Sequence, residues 1–152
     1  MSLNSSSVSS SIPTSPALTM NAWPDGHKVL RIACGLFFLP HVPGMFADGT
    51  LSARTVAFFA KAGFHPAELW VALAAGSEAA IGVALVLGIY TRWAALGAAL
   101  IMGMAVFSLQ AVKGFGWFWN TGGYEYHVFW GIASLCVALT EFKRRSGRIG
   151  AA

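Results

Sequence analysis

Long apolar runs, separated by short polar or proline-containing stretches, dominate the chain after residue 26. Residues 93–112 contain no formal charge over 20 positions, which matches the roughly 20 residues that a helix needs to cross about 30 Å of hydrocarbon. Further apolar segments predict spans over about 27–46, 67–90 and 124–142. They lack the period-two alternation of a transmembrane β-strand. The pattern therefore predicts an all-α fold, an integral membrane four-helix bundle.

The segments between the spans indicate how the chain connects them. The hinge Thr91-Arg92 is so short that the second and third spans are expected to form an antiparallel hairpin. Apolar residues recur at roughly helical spacing over 51–60, which predicts a short interfacial helix between the first and second spans. Pro40 and Pro43 predict that the first span is kinked or broken near its far end.

The composition agrees with a membrane protein. Hydrophobic residues make up 56% of the chain and charged residues 11%, whereas soluble domains have about 45–50% and about 25%. The pI of 9.4 does not indicate nucleic-acid binding, because the Lys and Arg residues lie at the ends of apolar segments. We predict a disordered, serine-rich tail over 1–26, a membrane domain over 27–142 and a basic tail over 143–152.

The Lys and Arg residues also predict the orientation of the spans. Three of the ten, Arg54, Lys61 and Lys113, fall on one side of the predicted bundle, and the other seven fall on the side of the two termini and Arg92. Cytoplasmic loops carry the excess of positive charge. We therefore predict a multi-pass membrane protein with both termini in the cytoplasm, and the family resemblance described below implies that the membrane is the bacterial inner (plasma) membrane.

Glu78 is the only formally charged residue in 69–91, which covers nearly all of the second span. Glu78 lies about midway along that span, where an ionised carboxylate costs at least about 2.5 kcal/mol. Ala74 and Gly82 share its helical face, so that another helix could approach closely. Arg31 in the first span is the candidate partner, although its guanidinium could reach the headgroups instead. Glu78 and Arg31 form a candidate intramembrane polar site, and a structural role and a proton- or ligand-binding role both stay open.

Polar and aromatic residues gather at the predicted non-cytoplasmic ends of the spans. They form a candidate outer-side pocket that comprises His41, Trp119, Asn120, Tyr124, Glu125 and His127. Aromatic rings could stack on a quinone head group, and histidine could exchange protons near neutral pH. Residues 113–126, which include four of these residues, fit either an aromatic belt at the membrane interface or a lid over the pocket. The spacing predicts no metal site, and no cofactor is identified, with a quinone as the candidate ligand.

Four stretches, in this order and spacing, resemble the DoxX family of small four-helix bacterial membrane proteins. They are LRIACGLFFLPHVPGMF, FFAKAGFHP, GSEAAIGVALVLGIYTRWAAL and YEYHVFWG. The resemblance covers roughly residues 28–142 and implies a four-helix protein of the inner membrane. The family takes its name from subunits of a thiosulfate:quinone oxidoreductase, and some members are linked to membrane redox or thiol-stress complexes.

The resemblance favours a membrane redox-associated subunit that either interacts with quinone or is accessory to a complex. Its expected partners are the lipid bilayer and membrane redox proteins, and not nucleic acid. Two alternatives stay open: a small-solute or proton pathway that uses Glu78, and a membrane scaffold without chemistry. The chain has no phosphate loop or dinucleotide motif to assign a reaction. The sequence therefore decides neither whether the protein is an enzyme nor its oligomeric state.

Overall fold

The computed structural model describes residues 25–149, which are mostly helical. The elements in chain order are α1 (Gly26–Phe38), α2 (His41–Gly44), β1 (Phe46–Ala47), β2 (Thr50–Leu51), α3 (Ala53–Lys61), α4 (Ala67–Leu87), α5 (Thr91–Lys113), a 3-10 turn (Trp119–Thr121) and α6 (Glu125–Ile149). Of the tail predicted over 1–26, residues 1–24 lie outside the described part of the chain.

Within residues 25–149, two helices, α4 and α5, are long and apolar enough to cross a membrane. Only 28% and 17% of their most apolar windows are buried inside the protein, whereas the core helix of a soluble domain is mostly buried. Their outward residues are large and apolar, with Val83 47% exposed and Leu100 69% exposed. An exposed apolar surface of this kind is suited to contact with lipid.

The first predicted span, 27–46, is divided in the structure. α1 ends at Phe38, and the four-residue helix α2 follows it. The break occurs where Pro40 and Pro43 interrupt the chain, since neither can donate a helical hydrogen bond. With 13 residues, α1 is about 20 Å long, which is shorter than the hydrocarbon core of a bilayer.

A two-stranded hairpin follows α2, in a chain for which we predicted only helices. β1 pairs with β2 in antiparallel fashion. Asp48 and Gly49 form the turn between them with φ values of 52° and 76°. Two successive positive φ angles are typical of a type I′ hairpin turn, and Asp-Gly is a favoured sequence for it. The Asp-Gly pair therefore carried a signal for this hairpin that the sequence analysis missed.

The remaining helices lie close to their predicted positions. α3 falls within the segment where a short interfacial helix was expected, and the turn between α4 and α5 is tight. Gly88 ends α4 with a φ of 78°, and its N–H and that of Ile89 both donate to the Ala84 carbonyl at 2.9 Å. α6 continues to Ile149, so that the beginning of the predicted basic tail is helical.

The four long helices share one core. α1 packs against α4 and α6, and α5 packs against the same two helices. Small residues make the contacts close: Ala95 and Ala98 of α5 are fully buried, and Gly35 of α1 meets Gly82 of α4. Small residues at an interface let helix backbones approach one another. The core consists of Cys34, Phe38, Leu85, Ala94, Ala95, Ala98, Trp130, Val137 and Ala138.

Polar contacts join the beginning of α1 to the end of α6. His27 Nε2 lies 2.6 Å from Glu141 Oε1, and Arg144 donates to Asp25 Oδ2 at 3.1 Å. The hydrogen bond from Arg144 lowers the pKa of Asp25. We call this the terminal end of the protein, and it includes the α4–α5 turn, because Arg92 lies over the ring of Phe142 in α6. The opposite end holds α2, the hairpin, α3 and the α5–α6 connection.

Replacement of Gly35 by alanine is expected to weaken the packing of α1 on α4. A Cβ at Gly35 would lie 2.7 Å from the backbone oxygen of Gly82 and 2.8 Å from Leu85 Cβ, so that a helix would have to shift. We expect the variant to lose about 1–3 kcal/mol of unfolding free energy, as overpacked cores do. The measurement is the thermal midpoint of the purified protein in detergent.

Gly76→Ala in α4 is the matched control, because nothing lies within 4 Å of its Cβ position. Its midpoint should equal that of the unmodified protein or rise slightly, since alanine favours a helix over glycine. Equal midpoints for Gly35→Ala and Gly76→Ala would show that the α1–α4 contact does not limit stability.

Candidate functional site

Glu78 lies on the face of α4 that packs into the protein. The buried residues of this helix include Val71, Ala75, Gly82 and Leu85, and Glu78 falls between them in the same three- and four-residue spacing. The side chain is 8% exposed, and its Oε2 atom has no hydrogen-bond partner among the described residues. A buried polar atom without a partner costs about 1–3 kcal/mol. This carboxyl group therefore needs an explanation beyond helix packing.

Arg31 does not reach Glu78. Its Nη1 atom donates to the backbone carbonyl of Leu85 and, at 3.1 Å, to that of Val86. These carbonyls lie about two helical turns beyond Glu78, or about 10 Å along α4. Arg31 also lies against Gly88, where a Cβ would be 2.9 Å from Nη1. The predicted pair is therefore not formed, because Arg31 is held at the C-terminal end of α4.

Two of the residues predicted for the outer-side pocket, His41 and His127, line a cavity together with Glu78. All three line a small cavity of about 70 Å³. One water molecule needs about 10–15 Å³ on this measure, so the cavity has room for several. The remaining lining residues are mainly large and apolar: Phe37, Phe38, Met102, Ala105, Tyr126 and Trp130. His41 and His127, which were predicted for one site, and Glu78, which was predicted for another, thus line the same cavity.

A second, larger cavity of about 410 Å³ adjoins the first. Its volume lies in the range of about 300–1,000 Å³ that is typical of small-molecule sites. Most of its wall is apolar and comes from α3, α4 and α5. It is lined by Met45, Phe58, Phe59, Phe64, Trp70, Leu73, Ala74, Ser77, Glu78, Ile101, Met104, Ala105, Ser108, Leu109 and His127.

Glu78, Ala105 and His127 line both cavities. The two serines of the large cavity already donate to backbone carbonyls, Ser77 to Ala74 at 3.0 Å and Ser108 to Met104 at 2.7 Å. By contrast, Glu78 Oε2 and His127 Nδ1 are buried without partners in the described structure. The polar groups left to bind a ligand are therefore concentrated where the two cavities meet.

The other residues of the predicted outer-side pocket are engaged in the α5–α6 connection. The Tyr124 hydroxyl accepts a hydrogen bond from Gln110 at 3.2 Å, and Glu125 Oε1 accepts one from the backbone N–H of Trp119 at 3.1 Å. Trp119 and Asn120 are exposed. None of these four residues lines either cavity, and the hydrogen bonds of Tyr124 and Glu125 join the beginning of α6 to α5 and to the connection between them.

Several residues that shape the site were not predicted from the sequence. Trp130 lines the small cavity, and its Nε1 atom is buried without a partner in the described residues. It follows His127 by three positions, so that the two side chains share a face of α6. Phe58, Phe59 and Phe64 line the large cavity from α3 and the loop after it. The apolar residues of α3 were interpreted as the face of a helix that lies on the membrane surface. The same pattern also fits a helix that packs against the other helices of the protein.

The chain matches the model of a known protein family. The family model described as DoxX matches residues 26–111, which is more than half of the chain. The matched part contains His41 and Glu78 and ends within α5, before His127. No curated protein and no solved structure matches the chain. The resemblance predicted from the sequence is thereby confirmed over α1 to α5.

Replacement of Arg31 by methionine is expected to destabilise the protein through the end of α4. The change removes the donor to the carbonyls of Leu85 and Val86, and a hydrogen bond from a charged group contributes about 1.5–3 kcal/mol. Lys28→Met is the matched control, because Lys28 is exposed one turn earlier in α1. A thermal midpoint in detergent that falls equally in both variants would contradict the assigned role of Arg31.

Proposed function

This chain belongs to the DoxX family, and on that premise we propose that it is a four-span membrane protein that binds a quinone or quinol for a membrane redox system. The two spans beyond α4 and α5 are α1 with α2, and α6. The proposed location is the bacterial inner membrane, with the terminal end in the cytoplasm and the proposed membrane domain over 27–142.

The distribution of charge supports this topology. The contacts of His27 and Arg144 hold the beginning of α1 and the end of α6 at one end of the protein. Of the ten Lys and Arg residues, seven fall at that end, and the remaining Arg54, Lys61 and Lys113 fall in the segments of the opposite end. An excess of Lys and Arg is typical of cytoplasmic loops.

The large cavity is the observation that carries the proposed ligand. It combines a long apolar wall with two unpartnered polar groups, Glu78 and His127, in one region. A quinone has the matching chemistry, since its isoprenoid tail is apolar and its head group carries two oxygens that hydrogen-bond. Aromatic side chains such as Phe64 and Trp70 supply surfaces on which the ring could stack.

The position of the cavity supports entry of the ligand from the lipid. Three lining residues of α4 and α5, Trp70, Leu73 and Met104, are 41%, 53% and 40% exposed. They also belong to the apolar outer surface of these two helices, so the wall of the cavity reaches the surface that would face lipid. A quinone dissolved in the bilayer could enter by this route without passing through water.

The redox role rests on the family resemblance and on this binding chemistry. In the proposal, the bound quinone or quinol exchanges electrons with a partner protein of the membrane, and this chain supplies the site that holds it. The apolar walls keep the ring out of water, and Glu78 and His127 hold its oxygens.

Replacement of Ala74 by phenylalanine is expected to weaken quinone binding. Ala74 lines the large cavity, and a phenyl ring there would occupy space that the ligand needs. We expect the affinity for a short-chain ubiquinone or menaquinone analogue to fall by at least about tenfold, or about 1.4 kcal/mol. Binding is measured in detergent by quenching of tryptophan fluorescence, for which Trp70 lies in the cavity wall.

Ala72→Phe is the matched control, because Ala72 is an exposed residue of the same helix that does not line either cavity. It should bind the analogue like the unmodified protein. The proposal fails if the unmodified protein shows no saturable binding and no redox protein co-purifies with it from native membranes in mild detergent.

A further inference from the structure

We propose that Glu78, His127 and His41 form a proton path that connects the large cavity with the water at the opposite end of the protein. The inference rests on the proposed function, because a bound quinol or quinone is the partner with which Glu78 would exchange protons. The proposed path also specifies a side of the protein, because protons enter and leave at His41 and not at the end that holds the termini.

Glu78 is the inner end of the path. Its carboxyl group lines both cavities, and Oε2 has no partner in the described structure. Because its side chain borders both cavities, it can accept a proton from a hydroxyl of a ligand in the large cavity and pass it on through the small one. Arg31 is engaged with the end of α4, so it does not hold Glu78 in a fixed ion pair.

His127 and the small cavity form the middle of the path. The ring of His127 borders both cavities, and its Nδ1 atom is buried without a partner among the described residues. An imidazole can take up a proton on one nitrogen and release one from the other. The volume of about 70 Å³ leaves room for water between the side chains that line it.

His41 is the outer end of the path. It lines the small cavity but not the large one, and its residue is exposed at the start of α2. It therefore connects the small cavity with water at the opposite end. Toward the terminal end, the space between the helices is filled by apolar residues with no exposed surface, such as Leu85, Ala95 and Val137.

Few other titratable groups face this path. Tyr126 of α6 also lines the small cavity. The described residues that face the two cavities from α1, α3 and α5 are apolar or serine, namely Phe37, Phe38, Phe58, Phe59, Ile101, Met102, Met104, Ala105, Ser108 and Leu109. Tyr126, His41 and His127 are therefore the other titratable residues that line these cavities with Glu78 in the described structure.

Each step is an acid–base exchange. An O–H bond of the ligand breaks as an O–H bond forms on Glu78, and that proton then moves to a ring nitrogen of His127. It passes through water to His41 and from there to the solvent. The reverse sequence delivers a proton to a ligand oxygen. No electron changes place along this path, so it requires no oxidant.

The test follows the protonation of Glu78 after protons are released on one side of a membrane. The protein is reconstituted in sealed vesicles, and its orientation is determined from protease access to the C-terminal tail. Light releases protons from an impermeant caged compound, either inside or outside the vesicles. The infrared band of the protonated carboxyl group is followed in time, and Glu78→Gln identifies the part of the signal that belongs to Glu78.

We expect the band to rise promptly when protons are released on the side of His41 and only slowly from the side of the termini. His41→Ala should slow the rise by at least about tenfold, since a positioned proton-transfer group typically contributes about 10²–10⁴-fold. His65→Ala is the matched control, because His65 is also exposed at the opposite end but lines neither cavity.

A faster response from the side of the termini, no response from either side, or equal rates in His41→Ala and the unmodified protein would overturn the path. Quinone binding is measured on the same preparations. Saturable binding without the expected proton response overturns the path and leaves the proposed function in place. The expected response without any binding leaves the path and overturns the proposed ligand.

Discussion

The burial of one carboxyl group in an apolar helix is the constraint on which the site depends. A bilayer offers no water to satisfy a polar group, so its partners have to come from the protein or from a ligand. Glu78 Oε2 has no such partner in the described residues, and the one cation predicted for it, Arg31, is bound to the last turn of α4. The surroundings of Glu78 are therefore organised as cavities and not as an ion pair.

Close packing of α1 on α4 places His41, just after α1, at the same small cavity as Glu78. The contact between Gly35 and Gly82 holds the two helices at a short distance. The helix breaks before Pro40, and His41 after the break lines the small cavity. Apolar packing fills the terminal half of the protein, whereas the half near α2 and α3 keeps open volume. Small residues such as Gly35 and Gly82 thus allow close helix packing on the terminal side of Glu78. The two cavities lie on its other side.

The position of Glu78 about midway along α4 could be predicted from the sequence, but its neighbours could not. Counting residues along one helix gives this position, because the rise per residue is fixed. The neighbours depend on how far each helix is rotated and shifted against the others, and apolar helices with lipid on one side carry little pattern to fix that rotation. This is why the sequence left the partner of Glu78 open, with Arg31 as the candidate, and why His41 and His127 were grouped with Glu125 and Trp119. The hairpin at Asp48-Gly49 differs, since its signal was local.

The unpartnered polar atoms favour a binding site over a scaffold. If Glu78 served packing alone, a hydrogen bond across to a neighbouring helix would recover much of the cost of burying it. Instead Glu78 Oε2, His127 Nδ1 and Trp130 Nε1 are all buried without partners in the described structure, and all three residues line the small cavity. Three such atoms in one place weaken the fold unless water or a ligand oxygen binds them. In the two proposals, the oxygens of the quinone head group and the water molecules of the proton path are such partners, at the place where the two cavities meet.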